Sequence, residues 1–183
     1  MHKMSHLIES EPFEFSFAPV MDREQVNGGF ERLVLGVPGG DSIVFSALVR
    51  CIEEPFYILY VLHTPRGEGL PGRYQSPELS NDDVSVFLER YSSYLGQDAR
   101  HDFWVRSQSS NATIVWDRHN IIYAYGPISK YESALRALGF SDGYPSIPSP
   151  HIHHYHSEFD GDAKALLNEI NWCFTDLRPE DEQ

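Results

Sequence analysis

Cysteine, basic charge and long apolar runs are all scarce in this chain of 183 residues. Its two cysteines, Cys51 and Cys173, fall in apolar helical patterns and read as buried thiols of a cytoplasmic protein. No apolar run approaches the roughly 18 residues of a membrane-spanning helix. Residues Met1 to His6 carry no apolar stretch after Lys3, so no secretory signal is expected, and without secretion the glycosylation pattern Asn111-Ala112-Thr113 is empty. Basic residues number 14 against 27 acidic ones, a formal charge of −13. That balance argues against direct nucleic-acid binding and against an anionic membrane surface. It keeps a protein soluble and suits a basic protein partner. Catalytic signatures are missing as well: there is no HExxH, no G-x-S-x-G elbow and no phosphate-binding glycine pattern.

What is present is a core. Hydrophobic residues make up 41% of the chain and aromatic residues 13%, enough for one globular domain. The organising stretch is Phe103 to Tyr125, two successive β-hairpins with turns at Gln108 to Asn111 and at Arg118-His119. A four-residue first loop sets Ser107 opposite Ala112 and Phe103 opposite Trp116. A two-residue second loop sets Trp116 opposite Ile121 and Ala112 opposite Tyr125. One face then collects Phe103, Val105, Ile114, Trp116, Ile121, Tyr123 and Tyr125. Both faces are apolar enough to predict central strands covered on both sides, the alternative being an open aromatic binding surface.

Phe56 to Thr64 is a continuous aromatic and β-branched run suited to a central strand, and Phe13 to Phe17 and Glu31 to Val37 are further strands. Asp41 or Ser42 caps a helix through Ile52, with a strand as the alternative over 43–52. Ser80 and Asp83 form a capping box before the stripe Val84, Phe87, Leu88, Tyr91, Tyr94 and Leu95. Ser129 and Glu132 form another, and Asp160 to Asp162 opens a last helix with Ala163, Leu166, Leu167, Ile170, Phe174 and Leu177 inward. Pro65 to Pro77 and Ser141 to Pro150 are loops. The reading is a single α+β domain over 13–177: a largely antiparallel sheet, with the double hairpin 103–125 and strand 56–64 central, carrying about four helices. A mobile arm over 1–12 precedes it and an acidic, frayed tail over 178–183 follows.

Candidate chemistry gathers in three places. His151 to His156 holds four imidazoles in six residues. In an extended segment His151 and His153 share a face, and with Asp160 or Asp162 they make a set for zinc or iron. Arg100-His101-Asp102 and Asp117-Arg118-His119-Asn120 meet at one sheet end, where His101 or His119 is a general base oriented by Asp102 or Asp117. The glycine-rich loop Arg66 to Arg73 reads as a mobile loop or lid rather than a phosphate cradle. The leading expectation is a non-enzymatic protein-binding module, in one form an immunity-type inhibitor of a basic toxin or nuclease. Its contacts would be Arg66, Arg73, Arg118, His119, Glu180, Asp181 and Glu182. The alternatives are a metal-dependent hydrolase built on the histidine segment and a homodimer joined through the aromatic face.

Overall fold

The computed structural model describes residues 1–26 and 28–181, and the chain adopts an α+β fold. Its strands are β1 (Met4–Ile8), β2 (Glu11–Glu14), β3 (Val20–Val26), β4 (Phe30–Gly36), β5 (Phe56–Leu62), β6 (Gly72–Gln75), β7 (His101–Ser107), β8 (Ala112–Trp116), β9 (Ile121–Tyr125), β10 (Ser141–Asp142), β11 (His151–His153) and β12 (Cys173–Thr175). The helices are α1 (Ser42–Val49), α2 (Asn81–Arg90), α3 (Ser92–Gln97), α4 (Ile128–Ala137) and α5 (Asp160–Glu169). Nine strands form the main sheet in the order β10-β3-β4-β9-β8-β7-β5-β6-β12, and a small second sheet runs β11-β1-β2. Apart from the β10–β3 pair, which is parallel, the pairs are antiparallel.

The core lies between one face of the main sheet and the helices. Alternation along β5, β7 and β8 turns Ile58, Tyr60, Phe103, Val105, Ile114 and Trp116 inward, onto Phe45 and Leu48 of α1, Phe87 of α2 and Leu135 of α4. Asp41 caps α1 by accepting from the Ile43 amide, which settles 42–49 as helix despite its β-branched residues. The Ser80–Asp83 capping box forms as the spacing predicts, and its apolar stripe continues across a break at Tyr91 into α3. The second capping box does not form. Helix α4 starts at Ile128, upstream of Ser129, and Glu132 is drawn away to pair with Arg23.

The hairpin register holds in its first half and slips in its second. Phe103 faces Trp116 and Ser107 faces Ala112 as the four-residue loop requires, but Trp116 faces Ile122 rather than Ile121. The cause is Asn120. It sits in the left-handed region at φ 63°, so the turn has three residues: the Asn120 amide donates to the Asp117 carbonyl, and the Asp117 amide to that of Ile121. One residue of slip turns the whole of β9 over. Ile122 and Ala124 enter the core, while Ile121, Tyr123 and Tyr125 move to the outer face beside Trp104, Thr113 and Val115.

That outer face is covered only in part, contrary to the expectation of central strands covered on both sides. Met4, Phe17, Val34 and Ile121 make a small second core there, with Phe15, Tyr123 and Ile147 against it. Residues 1–12 are thus not a free arm: β1 pairs with β2 and β11, and Lys3, Met4 and Ser5 are buried. Nor does the acidic tail fray over its described part. Helix α5 ends at Glu169, because Phe174 turns onto Tyr74 in the β12–β6 pair and leaves Cys173 exposed rather than buried. Asp181 beyond it is buried against Arg73. Gly72–Gln75, inside the expected loop, is the strand that receives β12.

Candidate metal centre

Local chemistry fixes the turn that carries His119. Asn120 accepts from Trp116 Nε1 at 2.9 Å and donates through Nδ2 to the Gly96 carbonyl at 2.9 Å. Gly96 has to be glycine, since a Cβ there would fall 1.9 Å from the carbonyl oxygen of Gly40. Asp117 accepts the amides of His119 and Ile121 on Oδ1 at 2.9 and 2.8 Å, and its Oδ2 lies 3.0 Å from His119 Nδ1. From below, the buried Lys3 ammonium donates to the Asp117 carbonyl at 3.1 Å and lies 4.9 Å from the Trp116 ring centre.

Strand β11 brings the other two imidazoles. It pairs with β1 so that His153 faces Met4 and His151 faces His6, and the period of two places both histidine rings on one side, 5.2 Å apart. The His119 ring is 5.4 Å from that of His151 and 4.7 Å from that of His153. Each of the three offers a nitrogen within 4.8 Å of the others. Three nitrogens on one tetrahedral zinc stand about 3.3 Å apart, given metal bonds of about 2.0–2.1 Å, so small side-chain rotations close the set.

The tautomers suit a cation. His151 Nδ1 is 2.9 Å from the Pro148 carbonyl, which can only accept, so Nδ1 carries a hydrogen and Nε2 is the ring atom left to face a metal. The Asp117 carboxylate sets His119 the same way. Among the described residues, the buried His153 Nε2 has no hydrogen-bond partner. Burial, helped by the neighbouring His119 and His151, holds the His153 pKa down at about 3, so its ring is neutral at physiological pH.

The expected carboxylate ligands lie elsewhere. Asp160 is 3.0 Å from Arg66 and 3.1 Å from the buried Arg100, and Asp162 is exposed in the first turn of α5. His119, expected as a base, takes the third place. His101 does not join Asp102. Adjacent residues on a strand face opposite ways, so His101 is buried with its ring 5.1 Å from Tyr60 and 4.6 Å from Tyr94, its pKa pushed well down by that burial. Asp102 turns outward, 3.0 Å from His63 Nε2, and accepts the Arg118 amide at 2.8 Å. The four-histidine segment divides: His154 Nε2 and His2 Nε2 both bond Ser5 Oγ, at 2.8 and 3.0 Å, and His156 Nε2 meets the His2 carbonyl at 3.0 Å. Their Nε2 atoms are spent on protein partners.

Of the expected contact residues, Arg66 pairs with Asp160, and Arg73 pairs with the buried Asp181. These arginines are committed inside the molecule. Glu182 lies outside the described residues. Glu180 is exposed and lines, with Arg118 and His119, a cleft of about 440 Å³ on the outer face. Trp104, Val115, Tyr123 and Tyr125 form its floor, and Arg32 lies over the Tyr123 ring at 4.5 Å. The histidine cluster therefore stands at the end of an open aromatic cleft, with His119 reaching both. No protein-family model matches the chain, and neither a curated protein nor a solved structure is significantly similar to it.

Proposed function

We propose that this protein is a mononuclear metalloenzyme, with His119, His151 and His153 holding a divalent metal, zinc first, and that it hydrolyses a substrate lying in the adjoining cleft. The observation that carries this reading is the convergence of three imidazoles from two distant segments, one with a buried nitrogen that no group among the described residues meets. Three histidines and no thiolate suit zinc, and three protein ligands leave one position for water or substrate. A bound metal supplies a water acidified to a pKa near 7. Asp117 behind His119 supports ligand orientation, and Asp102, fixed by His63 and the Arg118 amide, lines the cleft beside it.

Cobalt substitution tests the reading through the metal itself. The cobalt-loaded protein is expected to show the visible bands of a four-coordinate centre, and azide entering the open position is expected to shift them. A six-coordinate spectrum, or bands unchanged when His119, His151 and His153 are all replaced by alanine, overturns it. With the centre in place, chromogenic carboxylic and phosphate esters identify the bond cleaved.

A further inference from the structure

The register of the main sheet builds a second site on the outer face. Two cross-strand rows lie side by side there: Gln75, Leu59 and Trp104 in one, Tyr57, Arg106 and Thr113 in the other. They line a basin of about 450 Å³ with Arg73 at its side and Gln108 at its end. In a chain with 27 acidic residues against 14 basic ones, its wall contains arginine and no carboxylate. The positive charge available in it is that of Arg106, which is exposed, donates to Thr113 Oγ1 at 3.1 Å and forms no ion pair among the described residues. Arg73 is spent on Asp181, and the nearby Glu78 accepts the Tyr57 hydroxyl at 3.1 Å from outside the wall. Trp104 belongs to this basin and to the cleft of the histidine centre, and the Arg73 guanidinium lies 5.7 Å from its ring centre.

We infer that this basin binds a planar aromatic carboxylate, its anionic group on Arg106 and its ring against Trp104 and Tyr57. One uncommitted guanidinium matches one carboxylate, because its planar fork pairs with both oxygens. The side-chain amides of Gln75 and Gln108 add neutral donors. The volume falls in the range of small-molecule sites and admits a one- or two-ring acid. The inference stands apart from the metal reading, since none of the three histidines lines this basin.

The test uses uniformly ¹⁵N-labelled full-length protein, in which the indole signals of the three tryptophans are followed on adding benzoate, with Trp104→Phe assigning the Trp104 signal. A saturable shift of that signal is expected, with those of Trp116 and Trp172 unmoved. Benzamide, the neutral isostere, is expected to bind at least about tenfold more weakly, and Arg106→Gln to lose about as much, because a hydrogen bond to a charged group is at stake. Arg106 is a surface residue, so this variant folds. Equal binding of benzamide, unchanged affinity in Arg106→Gln, or no saturable shift with benzoate or 1-naphthoate overturns the inference. Binding of phenyl phosphate in preference to benzoate also overturns the carboxylate assignment.

Discussion

Trp116 and Trp104 lie on neighbouring strands of one sheet, and their surroundings differ in kind. Trp116 faces the helices: it is fully buried, stacks on Phe45 at 5.5 Å and donates its indole hydrogen to Asn120. Trp104 faces outward, half-buried between two clefts, with its indole hydrogen unmet. The first ring's indole hydrogen is used to hold the turn at Asn120. On the second side, aromatic surface stays open along two clefts. The same contrast separates the charges. Arg100 is buried and meets Asp98, Glu68 and Asp160, whereas the histidine centre collects three imidazoles with an unmet nitrogen among them.

The largest effects are expected on the inner face. Phe45→Ala removes a fully buried ring packed on Phe103 and Trp116 and is expected to cost about 3–5 kcal/mol in chemical denaturation. A loss under about 1 kcal/mol would mean that the two faces are not the unequal partners described.

Lys3, at the seam between the sheets, comes next. Burial lowers its pKa from 10.5 to about 8, so the folded protein releases a proton that the unfolded chain keeps. Stability is therefore expected to rise between pH 8 and 10.5, by up to about 3 kcal/mol, and to lack this rise in Lys3→Met. Parallel pH profiles of the two proteins would place the Lys3 ammonium in water instead.

Asn120→Ala sharpens the comparison, because Asn120 belongs to both regions. It removes the acceptor of Trp116 and the donor to Gly96 and puts alanine at a left-handed φ, for an expected cost of about 2 kcal/mol. It is also expected to weaken metal binding, whereas Phe45→Ala, while folded, leaves it intact. The smallest effect is Trp104→Phe, which deletes an unmet donor and is expected to change stability by less than about 1 kcal/mol in either direction. A loss comparable to that of Phe45→Ala would show Trp104 to be core.

The inner face is largely legible in the sequence because hydrophobic periodicity is a statement about burial: the stripe from Val84 to Leu95 and the run from Phe56 to Leu62 both lie where their pattern places them. The outer face is not, because one backbone angle decides it. Asn120 is a residue type that tolerates the left-handed region, and reading it as the flank of a two-residue turn inverts β9 and with it the floor of the cleft. The histidine pair of β11 is visible from the i, i+2 spacing alone. Its third member is not: His119 reaches it through the pairing of β1 with β11 and the Lys3 contact to Asp117, which join segments more than a hundred residues apart. Asp160 lay closer in sequence and is claimed by arginines that periodicity does not locate.

Zinc titration of untagged protein, followed by calorimetry and by thermal unfolding, tests the metal centre most directly. The account predicts one zinc per chain, a Tm raised by about 5–10 °C at a hundredfold excess over Kd, and loss of both in His119→Ala and in His153→Ala. Absence of stoichiometric zinc, or zinc held equally well by both variants, would contradict it.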